Sequence, residues 1–175
     1  MAELTFPQDY LQINDLYRWS SKFERHGEYQ PWRHAGKTRA QHRHQVENDW
    51  LEAKTEDGES LKVLRALVTL ALRIVAEDLD ASESPEILHE LSATFAVEYI
   101  ILRDPAEEQL GGFCEFNCVH NVWPFWRQYV YETLKSASLP VITVPFFPGQ
   151  KDGATNRKGP KRRIAKKERK TLPGA

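Results

Sequence analysis

Two stretches of the chain alternate cleanly between apolar and polar positions. In LKVLRALVTLALRIVAED the even positions Leu64, Ala66, Val68, Leu70, Leu72 and Ile74 are all apolar, while Arg65, Thr69 and Arg73 interrupt the odd ones. In ILHELSATFAVEYIILRD the apolar set is odd: Ile87, Leu91, Ala93, Phe95, Val97, Tyr99 and Ile101, with His89 the exception. Glu90, Ser92, Thr94 and Glu98 fall between them. Side chains of a strand alternate between faces, so a period of two marks one buried and one wet side. Both stretches therefore read as long strands. A helix is the rival reading of Leu61–Ala76, since Leu and Ala favour helices, but the neighbouring β pattern favours the strand. The link LDASESP carries Asp, Ser and Pro turn residues and predicts an antiparallel hairpin.

Weaker patterns flank this pair. In DYLQINDLYRWSSKFE, Leu11, Ile13, Tyr17, Trp19 and Phe23 fall at odd positions, which predicts an extended segment with gaps in its alternation. The polar stretch RHGEYQPWRHAGKTRAQHRHQVENDW reads as a long loop or an elaboration of the sheet edge, EDGES as a turn and DPAEEQLGG as a loop. FCEFNCVH alternates again, with Cys114, Phe116, Cys118 and His120 on one side of a strand. Asn121 or a neighbour can cap a following helix, and Pro124 suits its first turn, where a missing N–H is not needed. Trp126, Val130, Leu134 and Ala137 then recur at helical spacing, with Phe125 and Tyr129 beside them. Ser136–Ser138 and Pro140 end the helix. LPVITVPFFPG is extended, and its prolines keep it at the surface or a sheet edge.

Length and charge refine this picture. The 175 residues suit one domain, taken as residues 1–150, followed by a tail over 151–175. There is no apolar run of eighteen, so no membrane insertion is expected. The first residues, MAELTFPQDY, carry no basic start followed by an apolar stretch, so no secretory signal is read there. Cys114 and Cys118 are the only cysteines, which gives no disulfide framework and suits a reducing, cytoplasmic setting. The net charge of −1 hides an asymmetry. Residues 151–175 hold ten Lys and Arg against Asp152 and Glu168, a net +8. The other 150 hold 14 against 23 carboxylates, a net −9. Such a tail is expected to be disordered and can reach nucleic acid or an acidic partner, through Lys161, Arg162, Arg163, Lys166 and Lys167.

Candidate chemistry is sparse. On a strand, Cys114 and Cys118 would stand roughly 13 Å apart, too far to share a zinc ion. They read as small buried apolar residues. The histidines His26, His34, His42 and His44 have no accompanying ligand spacing and read as part of a polar loop. No nucleophile elbow, phosphate-binding loop, dinucleotide fingerprint or metalloprotease helix is present, so neither an enzyme nor a cofactor is expected. What stands out is aromatic surplus. Trp123, Phe125, Trp126, Tyr129, Tyr131, Phe146 and Phe147 are more than one ~100° helical stripe can bury, which points to a second subunit or a ligand groove.

The order of parts resembles the SecB-like export chaperone family. The hairpin leads into NVWPFWRQYVYETL (Asn121–Leu134), whose Asn-x-x-Pro start resembles that family's Asn-to-Pro step into a long helix. SLPVITVPFF (Ser138–Phe147) is similar to its proline-marked exit. The resemblance covers about Ser60–Phe147, and Leu11–Phe23 loosely. It implies an α+β fold, a four-stranded antiparallel sheet with a long helix packed on one face, assembled as a dimer of dimers. It further implies a chaperone that holds unfolded polypeptide clients in hydrophobic grooves without ATP. Clients in the family pass to the SecA motor or are the antitoxin of a toxin–antitoxin pair. Under this resemblance Trp123, Trp126, Tyr129, Val130, Leu139, Ile142, Val144 and Phe146 are expected to line the groove or a subunit interface. Two features depart from the family: the basic KGPKRRIAKKERK in place of an acidic end with a further helix, and the His- and Arg-rich segment 25–50.

Overall fold

The computed structural model describes residues 10–54, 56–77, 85–145 and 147. Four strands form one antiparallel sheet in the order β1-β4-β3-β2: β1 (Leu11–Arg25), β2 (Thr38–Lys54), β3 (Ser60–Ala76) and β4 (Ile87–Ile101). A single turn, α1 (Pro31–His34), lies between β1 and β2. After β4 the chain is helical almost without pause, through α2 (Glu107–Phe113), a π-helical turn (Cys114–Cys118) and α3 (Val119–Ser136). The FCEFNCVH stretch is thus helical, not a strand, and Pro124 sits inside α3 rather than in its first turn. Alternation of period two and the i, i+4 repeat coincide over so short a run, and the good packing of the helix against the sheet decides between them.

The two strong patterns are strands as their alternation predicts. Leu64, Ala66, Val68, Leu70, Leu72 and Ile74 of β3 face the same side as Leu91, Ala93, Phe95, Val97 and Tyr99 of β4, and all are buried. Cys118, Val119, Val122, Trp126, Val130 and Leu134 close that core from the helical side. Cys114 and Cys118 stand one turn apart on the buried face of the helix. The separation expected of a strand does not apply, although both are indeed buried among apolar side chains.

The polar segment 38–54 is not a loop. It is the longest edge of the sheet, paired residue by residue with β3 from Thr38↔Ala76 to Lys54↔Ser60. Its apolar content is low because one helix does not reach across all four strands, so both faces of β2 meet water over most of their length. In β1, register shifts between Ile13 and Asp15 and between Arg18 and Ser20 explain the gaps in its alternation. Each bulge adds a residue and flips the following side chains to the other face. Leu16 and Phe23 therefore pack against the core, opposite Val97 and Leu91. Tyr17, opposite Ala96, points to the helix-free face.

That second face is held by polar contacts. The Glu98 carboxylate accepts from Arg65 Nε at 3.0 Å and from the Tyr17 hydroxyl at 3.0 Å, and the Arg65 guanidinium lies 5.4 Å from the centre of the Trp19 ring. Thr69 and Thr94 share a hydrogen bond of 2.9 Å across β3 and β4. α3 ends in a Schellman motif: Leu139 N–H donates to Leu134 O at 2.9 Å and Ser138 N–H to Lys135 O at 3.1 Å. Ser138 takes φ 53°, where glycine is usual. The chain then turns back along α3.

This division into a buried and a wet face has a measurable consequence. Leu70→Ala, in the fully packed centre of β3, is expected to lower unfolding free energy by about 2–5 kcal/mol. Trp19→Ala, on the half-exposed far face, is expected to cost about 1 kcal/mol or less. Urea unfolding of both variants checks the ordering.

Candidate functional site

The helix and the returning segment form one unit. Trp123 Nε1 donates to Pro145 O at 2.8 Å, and Arg127 Nε to Val144 O at 3.0 Å. Leu139 and Val144 are buried beneath the segment, and Ile142 packs against the core. The Phe147 ring meets Trp123 at 5.2 Å and Phe116 at 5.4 Å. Tyr129 is anchored by its hydroxyl, which donates to Lys22 O at 3.2 Å, and Arg18 stacks on its ring at 5.3 Å. An arginine from the end of β1, Arg25, donates to the carbonyl of Ala137 and so holds the end of α3.

The residues expected to line a groove or interface are therefore brought together, but in large part inside this chain. Trp126, Val130, Leu139 and Val144 belong to its own core, Tyr129 is nearly covered, and Trp123 and Ile142 are partly so. Phe146 lies outside the described residues, as do Lys161, Arg162, Arg163, Lys166 and Lys167. The aromatic surface left open is carried elsewhere: Phe125 is 47% exposed, Tyr131 48%, Trp50 50% and Trp32 84%. Trp32 and Trp50 belong to segments whose polar composition hid them. A lone tryptophan in a run without periodicity gives no signal of what it faces.

Among the described residues, clefts border Phe125 and Trp50, and a further one lies apart from them. One of about 230 Å³ lies between α3 and β1, where Phe125, Gln128 and Glu132 approach Leu16 and Arg18. One of about 770 Å³ lies between β2 and α2, with Trp50, Leu51 and Leu110 on its apolar side and Glu52, Asp104 and Glu107 on its charged side. The third, about 520 Å³, sits at the other end of the sheet among Lys22, Glu24, Arg43, Arg73 and Glu90. These surfaces offer apolar area and charge.

The histidines are dispersed. His42 and His44 stand on β2, where partial desolvation lowers the pKa of the otherwise exposed His42, and His34 is buried in α1 with Nδ1 accepting from Gln30 N–H at 2.9 Å. His26 approaches the opposed carboxylates of Glu24 and Glu90, at 4.0 Å and 3.5 Å. Among the described residues this is the one place where three metal-ligating groups converge, and Lys22 already sits 2.6 Å from Glu24. Under the π-helical turn, Asn121 Nδ2 donates to the Tyr99 hydroxyl at 2.8 Å. Burial drives the Tyr99 phenol upward. The Cys118 thiol is also driven up, by its contact with Cys114 and by burial. Both groups stay protonated, so neither is a nucleophile at neutral pH.

The four-stranded antiparallel sheet with one long helix is a SecB-like α+β fold. It is similar to the solved structure of the Mycobacterium tuberculosis Rv1957 SecB-like chaperone in complex with a ChAD peptide from the Rv1956 HigA1 antitoxin. The TM-score is 0.54 at 19% identity, over 82% of this chain and 94% of that chain. No protein-family model matches the sequence, and no curated protein matches it. Among the described residues no helix is long and apolar enough to cross a membrane.

One buried group makes the core sensitive to acid. His89 is 2% exposed on the helix side of β4, with Nε2 unpartnered. Burial, and then the charge of Arg25, lower its pKa from 6.5 to about 4. The unfolded chain takes up the proton more readily, so stability is level above about pH 7 and falls as pH drops from 6.5 towards 4, by up to about 3 kcal/mol. His89→Leu is expected to remove this part of the slope. Urea midpoints of both proteins near pH 7 and near pH 5 test it.

Proposed function

We propose that this chain is an ATP-independent molecular chaperone that holds unfolded or exported polypeptides on exposed aromatic surface, with no catalytic chemistry of its own. The observation that carries the reading is large rigid aromatics left half-exposed on a packed frame: Phe125 and Tyr131 on α3 and Trp50 on β2. An unfolded client offers apolar side chains, and covering them gains ~25 cal/mol per Å². Aromatic rings supply that area at little cost in rotamer entropy. The SecB-like fold supports the same reading. So do the long outer strands β1 and β2, which invite pairing with a second copy and fit a homo-oligomer of dimers acting in the cytoplasm. Trp123, Tyr129 and Ile142, only partly or nearly covered in one chain, would then complete a groove or an interface.

A second reading is a chaperone dedicated to an antitoxin rather than one delivering preproteins to SecA. It is favoured by the antitoxin peptide bound to the SecB-like chaperone of similar fold and by the basic segment 151–175, where the SecB family has an acidic end. A third places the activity in that segment, as a nucleic-acid or ribosome contact, for which binding would fall steeply with salt.

The test is suppression of aggregation of a chemically unfolded substrate at stoichiometric excess without ATP; an unchanged aggregation rate sinks the holding function. The triple variant Phe125→Ser, Tyr131→Ser, Trp50→Ser is expected to keep its fold and to bind clients at least about tenfold more weakly. Co-expression with the products of neighbouring genes separates a general client range from a single antitoxin.

A further inference from the structure

Charge is unevenly distributed along the sheet. Segments 47–59 and 104–107 hold eight carboxylates, all exposed, with Lys54, Lys62 and Arg103 as the nearby cations. They sit at the end of the sheet where β2 turns into β3 and β4 leads to α2. The groove of about 770 Å³ between β2 and α2 opens there, lined by Glu52, Asp104 and Glu107 with Lys62, Trp50 and Leu110. Lys62 pairs with Asp104, its Nζ 3.1 Å from Oδ1 and 3.2 Å from Oδ2.

The chain heads towards this groove. From the end of α3 it runs back along the helix, and Phe147 rests on Phe116 in the π-helical turn. Phe116 is six residues from Leu110 on the groove wall, about 9 Å along a helix axis. Residues 148–156 (PGQKDGATN) can span up to about 30 Å. They are followed by RKGPKRRIAKKERK, nine cations against Glu168, with Ile164 and Ala165 between two basic runs. The other end of the sheet is an unsuitable target. It is about 50 Å away at ~3.3 Å per strand residue, and Lys22, Arg25, Lys37, Arg39, Arg43 and Arg73 lie there.

We propose that the basic segment Arg157–Lys170 docks in cis on the acidic, aromatic groove between β2 and α2. Its lysines and arginines meet Glu52, Asp104 and Glu107, an arginine stacks on Trp50, and Ile164 covers Leu110. Tethering makes the contact intramolecular, so modest pairwise attractions suffice. The contact is strongest at low salt and weakens when salt or a competing polyanion screens it. The inference does not depend on client holding.

Zero-length carbodiimide coupling of the full chain tests it, using a mixture of isotopically labelled and unlabelled protein read by peptide mass spectrometry. The Lys62–Asp104 link is the internal control. Links from Lys161, Lys166 or Lys167 to Glu52, Asp104 or Glu107 are expected within one isotopic chain. Their yield should fall several-fold in about 1 M salt, where the screening length is ~3 Å. In the Asp104→Lys, Glu107→Lys variant the links to Glu52 should disappear; if that variant does not fold, the salt response of the natural chain decides. Control links without tail links overturn the proposal. So do tail links confined to Glu24 and Glu90, or links only between differently labelled chains. A tail that couples to the groove no less when a short RNA is added also contradicts competition by polyanions.

Discussion

A single helix about 10 Å across packs on a sheet whose outer strands are about 14 Å apart, and most other features follow from that mismatch. α3 covers β4, β3 and part of β1 with Trp126, Val130 and Leu134. It leaves the helix-side face of β2 uncovered, with Trp50 and Val46 along it. Among the described residues the helix-free face has no second layer. It is stabilised by the Tyr17–Glu98–Arg65–Trp19 cluster and by the Thr69–Thr94 pair rather than by apolar burial. A protein built this way has a firm centre and chemically varied flanks.

The helical end of the chain depends on how backbone carbonyls are satisfied. The Schellman motif around Ser138 stops α3 and reverses the chain. Arg127 and Trp123 then bind the carbonyls of Val144 and Pro145, so an extended proline-rich segment needs no strand partner. This arrangement buries Leu139 and Val144 within the same subunit. Burial there stabilises the helix packing, and two aromatics on other flanks of α3, Phe125 beside β1 and Tyr131, stay about half-exposed.

The central hairpin was legible because both of its strands bury one face, which forces an apolar residue at every second position from Leu64 to Ile74 and from Leu91 to Tyr99. β2 was not legible because a strand exposed over most of both faces is under no such demand; its identity comes from seventeen residues of backbone pairing. Bulges hid the true faces of β1, since one inserted residue reverses the alternation without a compositional mark. The π-helical turn was misread for a related reason: Cys114 and Cys118, at i and i+4, share a face in a helix and in a strand alike.

From the sequence alone came the β3–β4 hairpin, the α3 stripe, its stop near Ser138, the charge split between body and tail, and the resemblance to SecB-like chaperones. Each rests on periodicity, turn chemistry or counting, which a linear chain displays directly. Tertiary structure alone decided which aromatics are used up. Trp126 looks as available as Phe125 in the sequence, one position away, yet 100° of helical rotation places it in the core at 1% exposure. It also decided that Trp50, in a polar run, faces a groove with Leu110 and three carboxylates. Such neighbours are brought together by strand pairing and helix packing over more than fifty residues of chain, a separation that no local pattern records.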